Sequence, residues 1–346
     1  KVVKVKSDVA TNSNYLVNCL VKDQKGKIYL GTNFGLKSLD PIKNEALTVN
    51  LGKDNLSLFG TIESLCFDRN QNLWIGNGYK GLVKINLYSQ VKQVISYPIT
   101  SKRIMAITAT DPKTILCATE NDGLIVVNDQ GVVQKKYTNS KFDARSLASN
   151  SVWSLCLDKD KRIWLGYYNK GLGVFDKSNN KVNVIESIPG KPNSLQTSCV
   201  TSIAIDAIGQ LWISMEGGGV DVYNPTTKDF KHITKLDTRF YSGLTNDNIT
   251  KVFIDKKQNV WLCSWNEGIY FLKNGAKQFV NYTTQNTPGL LSDHIMGIAE
   301  DSRGVIWIGT FSKGLHYFNP KEGKFYHCNT KPFHINGEMN SDVRTV

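Results

Sequence analysis

The 346-residue sequence lacks the motifs by which many enzymes and membrane proteins are first recognised. No apolar run reaches the roughly 20 residues that a membrane-spanning helix needs, and we find no convincing amphipathic helix. The five histidines are scattered, and there is no CxxC motif, HExxH motif or His/Asp cluster, so we expect no metal and no cofactor. The seven cysteines follow no disulfide spacing, which predicts that no disulfide is essential.

What the sequence does contain is seven copies of one short pattern. Each copy has a Trp-x-Gly run, or a variant of it, followed by a second Gly, and successive copies are 42 to 49 residues apart. A period in the forties with short apolar runs and Gly turns is typical of β-propeller blades with four strands each. The repeat cores are residues 17–41, 62–86, 104–128, 152–176, 200–225, 249–273 and 295–320.

Each blade can be divided into strands. An apolar-x-x-apolar-x-x-Asp pattern, with Thr110 replacing Asp in the third copy, predicts an innermost strand. It should end in a turn that Asp caps, with positive φ at a following Gly or Asn such as Gly26, Asn72 or Asn259. The Trp-Gly run predicts the second strand, the second Gly starts the third, and a polar fourth strand lies outermost. We therefore predict an all-β fold: one seven-bladed β-propeller over residues 1–346, with four antiparallel strands per blade.

The recurring tryptophans are predicted to be structural. A catalytic residue would not need a copy in nearly every blade, whereas a repeated packing unit must repeat its sequence. We expect them to pack between neighbouring blades; they are Trp74, Trp164, Trp212, Trp261 and Trp307.

Both ends of the sequence carry a partial repeat. Residues 1–6 predict an outer strand before the first blade, and residues 340–346 predict the start of an eighth inner strand. These strands would either close the ring or join it to neighbouring domains. We therefore expect the chain to be a segment of a longer multidomain protein.

The charge is unevenly distributed. Of a formal net charge of +12, residues 1–200 hold 27 basic and 16 acidic side chains, and residues 201–346 hold 15 and 14. Acidic polysaccharide, a membrane surface or nucleic acid are possible partners for a basic surface. The alternative is a solvated Lys-rich surface, since many of these lysines fall in turns or on outer strands. Nucleic acid is disfavoured because no recognition helix or aromatic-basic motif is present.

The best-formed repeats resemble those of the two-component regulator propeller family. Asp301–Pro320 (DSRGVIWIGTFSKGLHYFNP) and Asp158–Asp176 match its repeat pattern. A connecting Leu-Ser-x-[ND]-x-[VI] motif also matches, at Ser146–Val152, Ser194–Val200, Gly243–Ile249 and Gly289–Ile295. The resemblance covers essentially the whole chain, and the third repeat departs from it most.

The resemblance implies a function for the whole protein. Such repeats form the periplasmic sensor of Bacteroides-type hybrid two-component systems, which are inner-membrane proteins with histidine kinase and transcription-regulator parts. It implies an oligosaccharide ligand released from a glycan, a second propeller and downstream sensor domains in the same chain, and a homodimer. No direct nucleic-acid contact is expected from this segment. The repeat motif does not mark ligand sites, so no binding residue is carried over.

Candidate ligand residues come instead from the loops that a propeller gathers on one face. These are the turns between second and third strands and the connections between blades. Aromatic rings beside amides and charges can hold a sugar, because rings stack on C–H faces and polar groups bond hydroxyls. The candidates are Tyr79, Lys80, Arg103, Tyr167, Tyr168, Asn169, Trp265, Asn266, His294, Phe311 and Lys313. An alternative is that these aromatics pack the top of the blades.

Two other functions stay open. Propeller lyases and glycosidases place His, Glu or paired carboxylates over the channel, and Glu120, Glu216 and Glu267 lie on the predicted face, with His294 nearby. These glutamates share their loop position with lysines of other blades, which indicates ordinary variable residues. We therefore predict no catalytic residue in this segment. The third possibility is a propeller that serves as a protein-interaction scaffold.

Overall fold

A computed structural model describes the chain over residues 17–33, 35–40, 45–49, 61–78, 81–87, 92–95, 103–143, 145–176, 181–311 and 313–327. These residues form seven four-stranded antiparallel sheets, the blades of a β-propeller, and none of the described residues is helical. The predicted all-β fold is therefore confirmed in its number of blades and of strands per blade. Within the same residues, no helix exists that could cross a membrane.

Every blade is formed by four consecutive strands that pair in chain order. In blades 1 and 2 the strands are β1 Val17–Lys22, β2 Ile28–Thr32, β3 Gly35–Asp40 and β4 Glu45–Thr48, then β5 Ile62–Phe67, β6 Asn72–Asn77, β7 Gly81–Asn86 and β8 Lys92–Ile95. In blades 3 and 4 they are β9 Ile104–Asp111, β10 Thr114–Thr119, β11 Leu124–Asn128 and β12 Val133–Tyr137, then β13 Val152–Leu157, β14 Ile163–Tyr167, β15 Leu172–Asp176 and β16 Lys181–Ile185. In blades 5 to 7 they are β17 Val200–Ile205, β18 Leu211–Met215, β19 Gly219–Tyr223 and β20 Phe230–Ile233, then β21 Ile249–Ile254, β22 Val260–Ser264, β23 Ile269–Leu272 and β24 Val280–Tyr282, and finally β25 Ile295–Glu300, β26 Ile306–Thr310, β27 Leu315–Asn319 and β28 Lys324–His327.

The ring closes by packing between the first and last blades. Strand β1 contacts β25 and β26. Val17, Leu20 and Leu30 of blade 1 form one buried apolar cluster with Trp307 and Leu315 of blade 7. In the part of the chain that the structure describes, no strand is exchanged between blades to close the ring. The partial strands predicted at residues 1–6 and 340–346 lie outside the described residues.

An Asp–Trp pair holds together the inner half of five blades. In each, the Trp Nε1–H donates to Oδ2 of the Asp six residues earlier, at 2.9 to 3.2 Å. In blade 7 the second carboxylate oxygen, Asp301 Oδ1, accepts the backbone N–H groups of Arg303 and Val305. One buried carboxylate thus links the turn after the inner strand to the second strand. The indole itself packs against the next blade, as Trp261 does with Ile298 and Phe318.

The turn after the inner strand differs in one detail from the prediction. Positive φ occurs at Gly26 as expected, but in blades 2 and 6 it falls on Gln71 and Gln258 rather than on Asn72 and Asn259. The side chains of these two asparagines instead donate to the preceding Asp carboxylates, at 2.9 and 2.8 Å. The turn therefore places positive φ three residues after Asp, and Asn serves as a further hydrogen-bond donor.

The connecting motif brings two sets of loops onto one face of the propeller. Its leucines are buried in the apolar clusters between blades; they are Leu147, Leu195, Leu244 and Leu290. The Gly219 N–H at the start of β19 donates to the Asp247 carbonyl at 2.8 Å, and Gly268 does the same to Asp293 at 2.9 Å. The connections that follow blades 5 and 6 are thereby fixed to the turns between second and third strands of the same blades, which positions the candidate site.

A buried histidine under the last of these connections makes stability depend on pH. The ring of His316, on β27, is fully buried, and its Nε2 accepts the backbone N–H of Leu291 at 3.2 Å. Burial, aided by nearby His327, lowers the pKa of His316 to about 3. The folded protein therefore holds this ring neutral over a pH range in which the unfolded chain protonates it.

Acidification from pH 7 to pH 5 should thus lower the free energy of unfolding by about 2 kcal/mol through His316 alone. A depressed histidine pKa means that stability is complete above about pH 6.5 and falls as the pH approaches 3. Urea unfolding at both pH values measures the loss. His316→Gln retains an acceptor for Leu291 but does not ionise, so it should lose clearly less between the two pH values. An equal loss in both proteins would contradict the assignment.

Candidate ligand-binding site

A cavity of about 490 Å³ is enclosed by the inner strands of six blades. Its wall comes from β5, β9, β13, β17, β21 and β25, so it lies along the axis of the propeller. Residues of the loop-bearing face complete its mouth: Arg103, Glu216, Asn248 and Trp265. We call this space the axial cavity. It is large enough for a small organic ligand.

Two groups of aromatic rings lie at the axial cavity. Trp153, on inner strand β13, stacks on Tyr168 with ring centroids 4.4 Å apart and planes at 24°, and 43% of Tyr168 is exposed. Trp265 lies with its ring centroid 5.6 Å from that of His294 and 5.5 Å from that of Phe311. Both tryptophans line the cavity. These faces can cover apolar surface of a ligand at a mouth that also offers polar groups.

The charges at the mouth are of both signs. The Arg103 guanidinium lies 3.4 Å from the Glu63 carboxylate and 3.3 Å from that of Glu120. Glu216 is exposed, and its carboxylate accepts the Cys199 thiol at 3.5 Å. Among the described residues, the lining of the axial cavity therefore holds equal numbers of basic and acidic side chains. Partly exposed ion pairs such as these contribute little to stability, so their groups are available to orient a ligand.

The polar part of the wall comes from hydroxyl groups on neighbouring inner strands. Thr201 Oγ1 lies 2.9 Å from Ser214 Oγ and donates to the Ile249 carbonyl at 2.7 Å. Thr250 Oγ1 donates to the carbonyls of Cys263 and Ile295. These bonds join adjacent blades around the cavity, so the wall is a rigid part of the fold.

Tyr167 must be removed from the candidate set. The prediction placed it in a loop, but β14 continues through Tyr167, whose side chain is 0% exposed and packs in the core between blades 3 and 4. Its burial raises the pKa of the phenol above its usual value. A ligand on the loop-bearing face would not reach this ring, because it is fully buried in the apolar cluster between the two blades.

The remaining predicted residues divide into three groups. Arg103 and Trp265 line the axial cavity. Tyr168 stacks on the lining residue Trp153, and His294 contacts both Trp265 and Phe311. Three others lie on the same loops outside the cavity wall: Asn169, Asn266 and Lys313. The positions of Tyr79 and Lys80 fall outside the described residues.

Sequence reasoning missed the lining residues on the inner strands, among them Glu63, Trp153 and Lys251. The first two follow the first apolar residue of their strand. The equivalent positions of the other blades hold Asn18, Met105, Thr201, Thr250 and Met296. This variation between blades, at a position that always follows a buried Val or Ile, was the signal that could have identified the cavity wall.

The residues considered for catalysis are placed as follows. Glu120 is paired with Arg103, and the backbone N–H of Glu267 donates to Ser264 Oγ at 3.0 Å. His294 packs between Trp265 and Phe311. Within the described ranges, no three His, Cys, Asp or Glu side chains are grouped so as to hold a metal ion. The six described cysteines are unpaired, and Cys328 lies outside the described residues.

Comparison with solved structures supports the fold. The chain is similar to the extracellular domain of a hybrid two-component system from B. thetaiotaomicron, with a TM-score of 0.55 and 19% identity over 91% of this chain and 53% of that domain. It is also similar to an inactive variant of virginiamycin B lyase from Staphylococcus aureus, with a TM-score of 0.65 and 14% identity over 87% of this chain and 93% of the lyase. At these identities the likeness establishes the propeller fold alone.

Comparison of sequences identifies the repeats. The chain is 27% identical over 160 residues to histidine kinase P4 of Formosa agariphila, a match covering 45% of this chain and 11% of that protein. It thus corresponds to about half of the extracellular domain and a small part of the kinase. The profile described as two component regulator propeller matches residues 146–169 and 289–312, which span connecting motifs and Trp-Gly runs of blades 4 and 7. Two of the seven blades, the fourth and the seventh, thus contain repeats that match the two-component regulator propeller family.

Proposed function

We propose that this chain is the ligand-recognition region of a hybrid two-component sensor, and that it binds a glycan-derived oligosaccharide at the mouth of the axial cavity. The observation that carries this is the pairing of the Trp153–Tyr168 stack with the Trp265 ring group around one cavity. Neither aromatic group recurs in every blade, so neither is needed for the blade fold. Aromatic faces beside hydroxyl, amide and charged groups suit a sugar ring.

The repeats support the proposed setting of the chain. In the whole protein, the segment would be the periplasmic portion of an inner-membrane protein and would signal to kinase and transcription-regulator parts elsewhere in the chain. A second propeller, downstream sensor domains and a homodimer partner would contact it there. The segment itself would act without turning over its ligand and without touching nucleic acid.

Calorimetry on the entire extracytoplasmic region, titrated with neutral and uronic-acid oligosaccharides, tests the proposal. Trp265→Ala and Trp153→Ala should each weaken binding about 10-fold or more, equivalent to about 1.4 kcal/mol. Ile208→Ala is the matched control, because Ile208 is exposed in the turn between β17 and β18, at the opposite end of the strands. Equal binding by all three variants would refute the cavity as the site.

The charge of the ligand can be read from the salt dependence. If Arg103 contacts a uronic-acid carboxylate, affinity should fall between low and physiological ionic strength, where exposed charges are screened over about 8 Å. Neutral oligosaccharides should show little change. Product formation detected by chromatography would instead support a lyase or glycosidase. If no oligosaccharide of the panel binds and the protein captures a defined protein partner, the result would support a protein-interaction scaffold.

A further inference from the structure

A second cavity opens between blades 5 and 6, at the end of the strands opposite the mouth of the axial cavity. Its volume is about 510 Å³, and it shares no lining residue with the axial cavity. The turns after the inner strands of both blades line it, together with the turn between β23 and β24 and residues 239–241 of the connection between the blades. We call this space the interblade cleft. The proposed oligosaccharide site does not include it.

The most buried part of the cleft lining is apolar. It consists of Trp212 of blade 5 and of Val260 and Leu272 of blade 6, all almost fully buried. The ring of Tyr241, in the connection, lies with its centroid 5.5 Å from that of Trp212. Two backbone hydrogen bonds, of 2.9 and 2.8 Å, fasten the neighbouring Ser242 to the segment that enters β24. This apolar lining is therefore a fixed part of the fold and offers contact to the body of a ligand.

The more exposed part of the cleft lining is basic. The acidic lining residue is Asp206, and both of its carboxylate oxygens already accept N–H groups of blade 5. Arg239 is paired with Asp237 at 2.6 Å, so its charge is partly compensated. The other basic lining residues form no ion pair within the part of the chain that the structure describes; they are Lys231, Lys273 and Lys277. The cleft thus carries a net positive charge beside an apolar surface.

One aromatic ring keeps two of these cations at the cleft. Phe240 is 38% exposed, Lys231 Nζ lies 5.9 Å from its ring centroid, and Arg239 Cζ lies 5.8 Å from it. A cation at this distance is attracted to the face of the ring. This attraction favours a lysine conformation directed along the cleft over one extended into solvent. The arrangement differs from lysines on an open surface, because the ring, the cations and the apolar lining belong to one cavity.

We propose that the interblade cleft binds a small organic anion with a flat apolar body, such as an aromatic carboxylate. The body would lie against Tyr241 and Phe240, and the carboxylate would face the lysines. The volume of about 510 Å³ lies in the range of about 300–1,000 Å³ that small-molecule sites have. A neutral sugar fits less well, because the amides of Gln258 and Asn274 are engaged in hydrogen bonds between turns. The site is separate from that of the proposed function and does not depend on it.

Fluorescence titration with anilinonaphthalene sulfonate tests the proposal, because this probe combines aromatic rings with a negative charge. We expect saturable binding. Lys273→Glu and Lys277→Glu should each weaken it at least about 5-fold, since each places a repelling carboxylate beside the sulfonate. Lys141→Glu, on the connection between blades 3 and 4, makes the same change in net charge and should leave the affinity unchanged. All three lysines are exposed, so the variants should fold, which urea unfolding checks.

Two further measurements identify the site and the charge requirement. Trp265→Ala distinguishes the interblade cleft from the axial cavity, and it should leave binding of the probe at the cleft intact. Naphthoate should displace the probe at least about 5-fold more effectively than naphthylmethanol, which has the same rings without the charge. Equal displacement by both compounds, or binding that Trp265→Ala abolishes and neither lysine reversal weakens, would overturn the proposal.

Discussion

Trp164→Ala and Trp307→Ala are each expected to lower the free energy of unfolding by about 3–5 kcal/mol, in the range for large aromatic truncations in cores. Both indoles are almost fully buried, Trp164 between blades 4 and 5 and Trp307 between blades 7 and 1. Their removal leaves a cavity at an interface between blades and a buried carboxylate with one donor fewer. Chemical denaturation followed by circular dichroism measures the loss.

The control for this prediction is Trp153→Ala, a truncation of the same size at the axial cavity. Trp153 is only partly buried and stacks on the exposed Tyr168, so its removal should cost clearly less than either core variant. Trp307→Phe adds a second comparison, because it keeps most of the apolar volume and removes only the indole N–H. Unchanged denaturation midpoints in both alanine variants would contradict the packing between blades.

The repeat made the blade predictable because it repeats the constraints of one packed unit. The second Gly of the pattern has positive φ in all seven blades, between 65° and 94°. A Cβ on Gly219 would lie 2.2 Å from the Ile233 carbonyl oxygen. Since both the backbone conformation and the close approach exclude a side chain, glycine recurs and marks the start of each third strand. The Asp of the inner-strand turn also recurs, so its position could be recognised from the sequence. The sequence did not show that its carboxylate accepts a hydrogen bond from the Trp indole.

The candidate site was less predictable because its residues depend on which side of a strand they face. Tyr167 and Tyr168 are adjacent, but β14 ends between them, and only Tyr168 reaches the surface. The residue after the first Gly is fully buried in every blade, as Thr32, Asn77, Thr119, Met215, Ser264 and Thr310 show. Aligning the copies at that position would have placed Tyr167 in the core. Trp153 was missed because loops alone were searched for ligand contacts.

Asp301→Ala should destabilise the propeller by about 3–5 kcal/mol, because one fully buried carboxylate accepts a buried indole N–H and several hydrogen bonds of the turn. Its carboxylate is 0% exposed, accepts the Trp307 indole N–H at 3.2 Å, and is paired with the Arg303 guanidinium at 2.9 Å. It also accepts two backbone N–H groups of the turn. Alanine would leave the buried Trp307 indole N–H without an acceptor, at about 1–3 kcal/mol, and would remove the bonds to the two backbone N–H groups of the turn, at about 1 kcal/mol each. Thermal and urea unfolding of the variant measure the effect.

Blade 3, which lacks the Asp–Trp pair, provides the matched control. Asp111, in the corresponding turn, accepts the backbone N–H of Lys113 at 2.9 Å and the Thr110 hydroxyl at 3.4 Å. Asp111→Ala removes hydrogen bonds from a turn whose donors are partly exposed and should therefore cost clearly less than Asp301→Ala, about 1–2 kcal/mol. A double-mutant cycle between Asp301→Asn and Trp307→Phe then isolates the bond across the blade, with an expected coupling of about 0.5–3 kcal/mol. Additive effects of the two substitutions, or equal losses for Asp111→Ala and Asp301→Ala, would show that the carboxylate acts as an ordinary turn cap.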